Sequence, residues 1–146
     1  MEVKDDIFFL VKHLSKCMEL ALDKEANKLG LTPQQARLLG FLVRRKNENI
    51  SIRQIDIEER FQLSKSTVSG LVKRMESKNL IIKEKKDKDI LILPSEEGIK
   101  ITEIFKEKAN VIKDDIAKDL TDKEKEQLIK TLHKLLENVK KEGGCS

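Results

Sequence analysis

Apolar residues recur at three- and four-residue steps from residue 5 to about residue 29, with Ile7, Leu10, Val11, Leu14, Cys17, Met18, Ala21 and Leu22 on one stripe. That spacing predicts an amphipathic helix, ended by Gly30. Thr32 and Gln35 have capping-box spacing around Pro33, which suits a first helical position. The second helix then carries Ala36, Leu38, Leu39, Phe41 and Leu42 and fades at Arg44-Arg45-Lys46-Asn47. Ser51 and Gln54 predict another capping box, opening a short third helix with Ile57 and Phe61 one turn apart. Gln62-Leu63 and a capping Ser64 lead into a fourth helix to about Lys78, with Asn79 where a left-handed residue is expected.

The period changes at residue 80. Leu80-Ile81-Ile82 and Ile90-Leu91-Ile92-Leu93 are rich in β-branched residues and flank a charged turn, which predicts a two-stranded hairpin stopped by Pro94. Ser95 with Glu96 and Glu97 opens a fifth helix of about twenty residues. Thr121 and Glu124 form a capping box for a sixth, to about Lys141. On that helix Leu128, Leu132, Leu135 and Val139 lie near heptad spacing, a pattern suited to packing against a second copy. The tail Glu-Gly-Gly-Cys-Ser reads as frayed. The fold class expected is mainly α with a small β wing, a winged helix-turn-helix with further helices at both ends.

Composition sharpens this picture. Apolar residues make up 38% of the 146, but aromatics only 3%, with no Trp or Tyr, so the core must be aliphatic. The net charge of +4 is modest, yet residues 64–88 hold eight Lys or Arg against three acids. A basic patch on a near-neutral body is the footprint of a nucleic-acid binder. It coincides with the fourth helix and the hairpin. Val68, Leu71, Val72 and Met75 form the buried face of that helix, and Ser66, Ser69, Gly70 and Lys73 follow the same rule on another face. Small polar residues at a helix start let the backbone approach base edges and phosphates. The candidate DNA-binding residues are Arg53, Gln54, Ser64, Lys65, Ser66, Thr67, Ser69, Gly70, Lys73, Arg74, Lys83, Lys85, Lys86 and Lys88. A charged helix face and a Lys-rich turn are ordinary solvated features when separate; their adjacency favours the nucleic-acid reading.

The stretch from Leu63 to Ile81, Leu-Ser-Lys-Ser-Thr-Val-Ser-Gly-Leu-Val-Lys-Arg-Met-Glu-Ser-Lys-Asn-Leu-Ile, resembles the recognition-helix signature of MarR/SlyA-type regulators. Asp56-Ile57-Glu58, Gly30-Leu31-Thr32-Pro33-Gln34-Gln35 and Pro94-Ser95-Glu96-Glu97-Gly98 are similar to the family's flanking elements. Asn79 replaces a usual Gly, and the wing lacks the family's Asp-x-Arg, with Lys88 roughly in place of the Arg. The resemblance implies a single MarR-like domain over residues 1–146. Its dimerisation helices would span about 1–30 and 99–141, and its DNA-binding lobe about 31–94. It further implies a homodimer on a palindromic double-stranded operator, acting as a repressor released by a small apolar or aromatic effector.

Cys17 is the candidate redox residue, and a redox-sensing regulator is the alternative reading. A small residue on the buried stripe of the first helix is the plainer account of it. Cys145 is assigned no role, and two distant cysteines make no disulfide framework. No metal site or cofactor is expected, since His13 and His133 are the only histidines and no tight ligand cluster surrounds them. An enzyme is not expected, for want of a Gly-rich phosphate loop or a nucleophile elbow. Neither a signal peptide nor a membrane span is visible, which points to the cytoplasm. The remaining competitor is a helical module that binds protein and not DNA.

Overall fold

The computed structural model describes residues 5–143. Cys145 and most of the tail read as frayed lie outside the described residues. The elements run α1 (Ile7–Lys28), α2 (Pro33–Asn47), α3 (Gln54–Phe61), α4 (Lys65–Ser77), β1 (Ile81–Lys86), β2 (Asp89–Pro94), α5 (Glu96–Ile116) and α6 (Asp122–Lys141). The chain divides into two compact units at Ala109, within α5.

In the first unit the core is aliphatic. Leu38, Leu39, Leu42, Ile57, Val68, Val72, Met75 and Ile81 are sealed from solvent, drawn from α2, α3, α4 and β1. Phe41 meets Phe61 edge-to-face at 5.6 Å. The Thr32–Gln35 capping box forms in both directions, with Pro33 in the first turn. Gly30 takes φ 78°, and Asn79 φ 61° after α4, both reversals needing the left-handed region. The hairpin is antiparallel with Ile81 opposite Pro94 and Lys86 opposite Asp89. Its two-residue tip places Asp87 at φ 56°.

Two expectations need correction. α3 does not begin at a Ser51–Gln54 box; Arg53 is its N-cap residue, and the Asp56 carboxylate accepts from the Arg53 backbone N–H at 2.8 Å. The cause is Ile52, which is buried and whose carbonyl accepts from Ile92 N at 2.8 Å. Arg53 also bridges Leu91. Residues 52–53 are thus drawn alongside β2 in extended form, and the helix starts only after them. The second concerns α1. Every residue from Ile7 to Leu20 is exposed, Cys17 included, and burial begins near Ala21. Cys17 therefore sits on an apolar stripe that this chain leaves open.

The second unit contains the end of α5 and α6. Thr121 and Glu124 cap α6 reciprocally. No residue of α6 is buried, and Leu128, Ile129, Leu132, Leu136 and Val139 stand exposed.

These interactions can be tested at two positions. A Cβ at Gly98 would run into the Leu80 carbonyl oxygen and come within 3.0 Å of Leu39 Cδ1. Gly98→Ala should therefore cost about 1–3 kcal/mol in urea unfolding; an unchanged midpoint would show that the start of α5 shifts freely. The Glu124 carboxyl is held below its ordinary pKa by the Thr121 backbone N–H, then by the Thr121 side chain. A lowered folded-state pKa stabilises above the unfolded value and is lost as pH falls through the folded one. The Thr121 amide resonance should move with that titration on acidification, and Glu124→Gln should abolish the movement.

Candidate nucleic-acid interface

Helices α3 and α4 pack together across Gln62-Leu63-Ser64, with Gln62 left-handed at φ 54°. Ser64 caps α4: its Oγ accepts from Thr67 N at 3.2 Å and donates to Thr67 Oγ1 at 2.8 Å. Ser64 and Thr67, two candidate DNA contacts, are thereby engaged in holding the helix start. Ser66 Oγ lies 3.3 Å from Ser64 Oγ. Gln54, half-buried, donates from Nε2 to the Lys65 carbonyl at 3.4 Å, so it ties α3 to the first residue of α4.

The rotation of α4 follows from its apolar side. Val68, Leu71, Val72 and Met75 are buried, which turns Lys65, Ser66, Ser69 and Lys73 outward, all exposed. Gly70 is half-buried, and the Arg74 guanidinium folds over it, with Nη1 3.3 Å from where a Cβ would sit.

On the wing, Lys85, Lys86 and Lys88 are exposed. Lys83 instead reaches Glu76 of α4 at 3.7 Å, pairing wing to helix across two exposed side chains. Arg53 contacts Asp56 at 3.5 Å. Its pKa is raised first by the hydrogen bond to Asp56, then by the charges of Asp56 and Asp89. Together Arg53, Gln54, Lys65, Lys83 and Lys88 rim a groove of about 480 Å³ between the starts of α3 and α4 and the wing, with Ile90 on its wall. Of the candidates on α4 only Lys65 lines this groove, Ser66, Ser69, Lys73, Lys85 and Lys86 lie outside its lining, and Glu58 and Asp89 line it beside the cations. Asp56 and Glu76 were not among the candidates, and they are what pair with Arg53 and Lys83. Acidic partners carry no signal in a search for basic residues, although the three-residue spacing of Arg53 and Asp56 suits an N-terminal helical carboxylate.

Residues 29–89 match the model of the MarR family. Over this segment, and in its fold, the chain is similar to MarR-family transcriptional regulators. The family's members are DNA-binding transcription factors and not enzymes. Among solved structures, MepR, a transcription regulator of the Staphylococcus aureus multidrug efflux pump MepA, superposes with TM-score 0.83 at 25% identity, covering 92% of this chain and 98% of that one. A MepR–DNA complex gives TM-score 0.71 at 25% identity over 93% of this chain and 98% of that one. A MarR family protein from Bacillus stearothermophilus shares the fold, with TM-score 0.79 at 21% identity over 90% and 91% of the two chains. No curated protein matches the sequence. No helix among the described residues is long and apolar enough to cross a membrane.

The capping role of Ser64 separates it from its neighbours. Ser64→Ala should lower stability by about 1 kcal/mol, whereas Ser66→Ala should stay within about 0.5 kcal/mol. Equal effects in chemical denaturation would contradict the assignment of Ser64 as the cap.

Proposed function

We propose that this chain is a homodimeric repressor that binds a palindromic operator in double-stranded DNA and releases it when a small apolar or aromatic effector binds. One observation carries the DNA reading: Lys65, Ser66, Ser69 and Lys73 on α4 and Lys85, Lys86 and Lys88 on the wing are exposed together, facing outward from a rigid core. Among the described residues no ion pair engages the side chains of these lysines. A helix offering small polar residues and cations beside a basic hairpin fits a major groove, with the wing on phosphate or the minor-groove rim.

The dimer reading rests on α1 and α6, each of which leaves an apolar face open. Phe8 is 75% exposed and Ile129 57%. Such faces mark association surfaces. In this proposal about 1–30 and 99–141 are dimerisation helices and about 31–94 the DNA-binding lobe, acting in the cytoplasm. The effector class rests on the family and on an interior of Leu, Ile and Val.

Selection of bound sequences from random duplex DNA tests the central claim. The expected product is a palindrome with half-sites about one helical turn apart. Recovery of no common sequence, with binding insensitive to salt, would favour a protein-binding module. Sedimentation should give about twice the 16.8 kDa chain mass at micromolar concentration; a folded monomer contradicts the dimer. If peroxide releases DNA and Cys17→Ser stops that release, redox sensing replaces the effector.

Mutations should divide by element. Ser69→Ala or Lys73→Ala should cost about 1–3 kcal/mol on the selected duplex and much less on random DNA. Replacing Lys85, Lys86 or Lys88 should weaken both duplexes and reduce the salt slope by about 1 for each phosphate that is no longer neutralised. Measured on both duplexes across salt, equal weakening by the α4 changes would overturn this division.

A further inference from the structure

The basic residues of the patch are not all alike. Lys78, just after α4, is an exposed residue whose ammonium is nonetheless engaged by protein oxygens. Its Nζ donates to the Gly30 carbonyl at 3.0 Å and to Gln35 Oε1 at 3.0 Å, across 48 and 43 residues of chain. Both acceptors are held in place beforehand. Gly30 is left-handed at φ 78°, which aims its carbonyl. Gln35 is buried, and its Oε1 also accepts from Thr32 N at 3.2 Å. An ammonium on two fixed oxygens makes charge-assisted hydrogen bonds, and a cation at a helix C-terminus is further favoured by the helix dipole. The same end of α4 is gripped from α5. Ser95 Oγ donates to the Asn79 carbonyl at 2.6 Å, and Ser95 N donates to the Leu80 carbonyl at 3.0 Å.

We propose that Lys78 is a positioning residue, which fastens the C-terminal end of α4 to the turn between α1 and α2 and is not a DNA contact. This rests on the reading of α4 as the recognition helix. At 13 residues α4 is about 20 Å long. A tilt of about 5° about its fastened end moves the first turn by about 2 Å, enough to break hydrogen bonds to base edges. Removing the tether therefore degrades sequence discrimination while the phosphate contacts remain. A lysine that itself touched phosphate would behave in the opposite way, weakening all DNA and flattening the salt slope.

The test compares the full-length chain with Lys78→Met and Lys78→Arg. Affinity is measured for the duplex selected by the wild type and for random duplex, at several salt concentrations, alongside native-state hydrogen exchange. Lys78→Met should bind the selected duplex about tenfold more weakly, with random-duplex affinity within about twofold and the salt slope unchanged. Exchange should quicken at the Gly30, Leu31, Asn79 and Leu80 amides and not on α6. Lys78→Arg, which keeps the charge and two donors, should restore most of the discrimination, and keeps the comparison readable if the Met variant folds poorly. Equal weakening on both duplexes with a slope shallower by about 1 overturns the proposal in favour of a phosphate contact. Unchanged exchange at the four amides overturns the tether itself. A wild type that binds no duplex overturns the recognition reading, and the positioning role with it, while exchange still decides the tether.

Discussion

Everything on the candidate interface depends on how α4 buries one face. Val68, Leu71, Val72 and Met75 all lie in an aliphatic cluster with residues from α2, α3 and β1. Each fully buried side chain of this kind contributes about 1.5–3 kcal/mol relative to exposure, far more than any surface ion pair. At 3.6 residues per turn, fixing that face leaves no choice about the other. Ser66, Ser69 and Lys73 must point outward, and a rotation that withdrew them would expose Met75 or Val68. The chemistry of the candidate interface is thus set by packing behind it.

Packing sets rotation but not the ends of the helix. Those are set by polar groups with defined geometry. Ser64 caps the start, Gln54 ties the Lys65 carbonyl to α3, and Ser95 and Lys78 hold the last turn. The wing is fastened differently. Ile52 and Ile92 share a backbone hydrogen bond, and Arg53 forms a β-bridge with Leu91 of β2. The Glu76–Lys83 pair is exposed at both ends and contributes little by comparison. The wing root is consequently held to the body by backbone pairing, and beyond it the hairpin is held by its own ladder as far as Lys86 and Asp89.

Much of this was legible in the sequence wherever one segment carried its own signal. The capping boxes of α2 and α6, the apolar period of α4 and the two β-branched runs each fall within a few residues, and each appears where expected. What was not legible depends on contacts between distant segments. The start of α3 moved because burial of Ile52 and a single bridge to β2 outweigh a local serine cap, and one bridging pair leaves no periodic trace. Lys78 looked like one more member of a basic cluster, since nothing local reveals that Gly30 and Gln35 lie beside it. The stripe containing Cys17 was correctly apolar, but periodicity says only that a face is apolar, not which molecule covers it.

The last point bears on how such a regulator can be switched. The open face of α1 leads through its final turn to Gly30, whose carbonyl receives Lys78 from the end of α4. A body seated on α1 therefore acts on a helix whose following turn is bonded to the residue that ends α4, with no need to reach the candidate interface. Seating alone would change nothing. An occupant shifts DNA affinity only to the extent that it binds one setting of the α1–α2 turn better than another. The Gly30 carbonyl and Gln35 Oε1 both bond the Lys78 ammonium, so a shift of that turn is felt at the end of α4. Coupling in this fold would then reside in that turn, where the backbone is constrained and the polar groups are fully used.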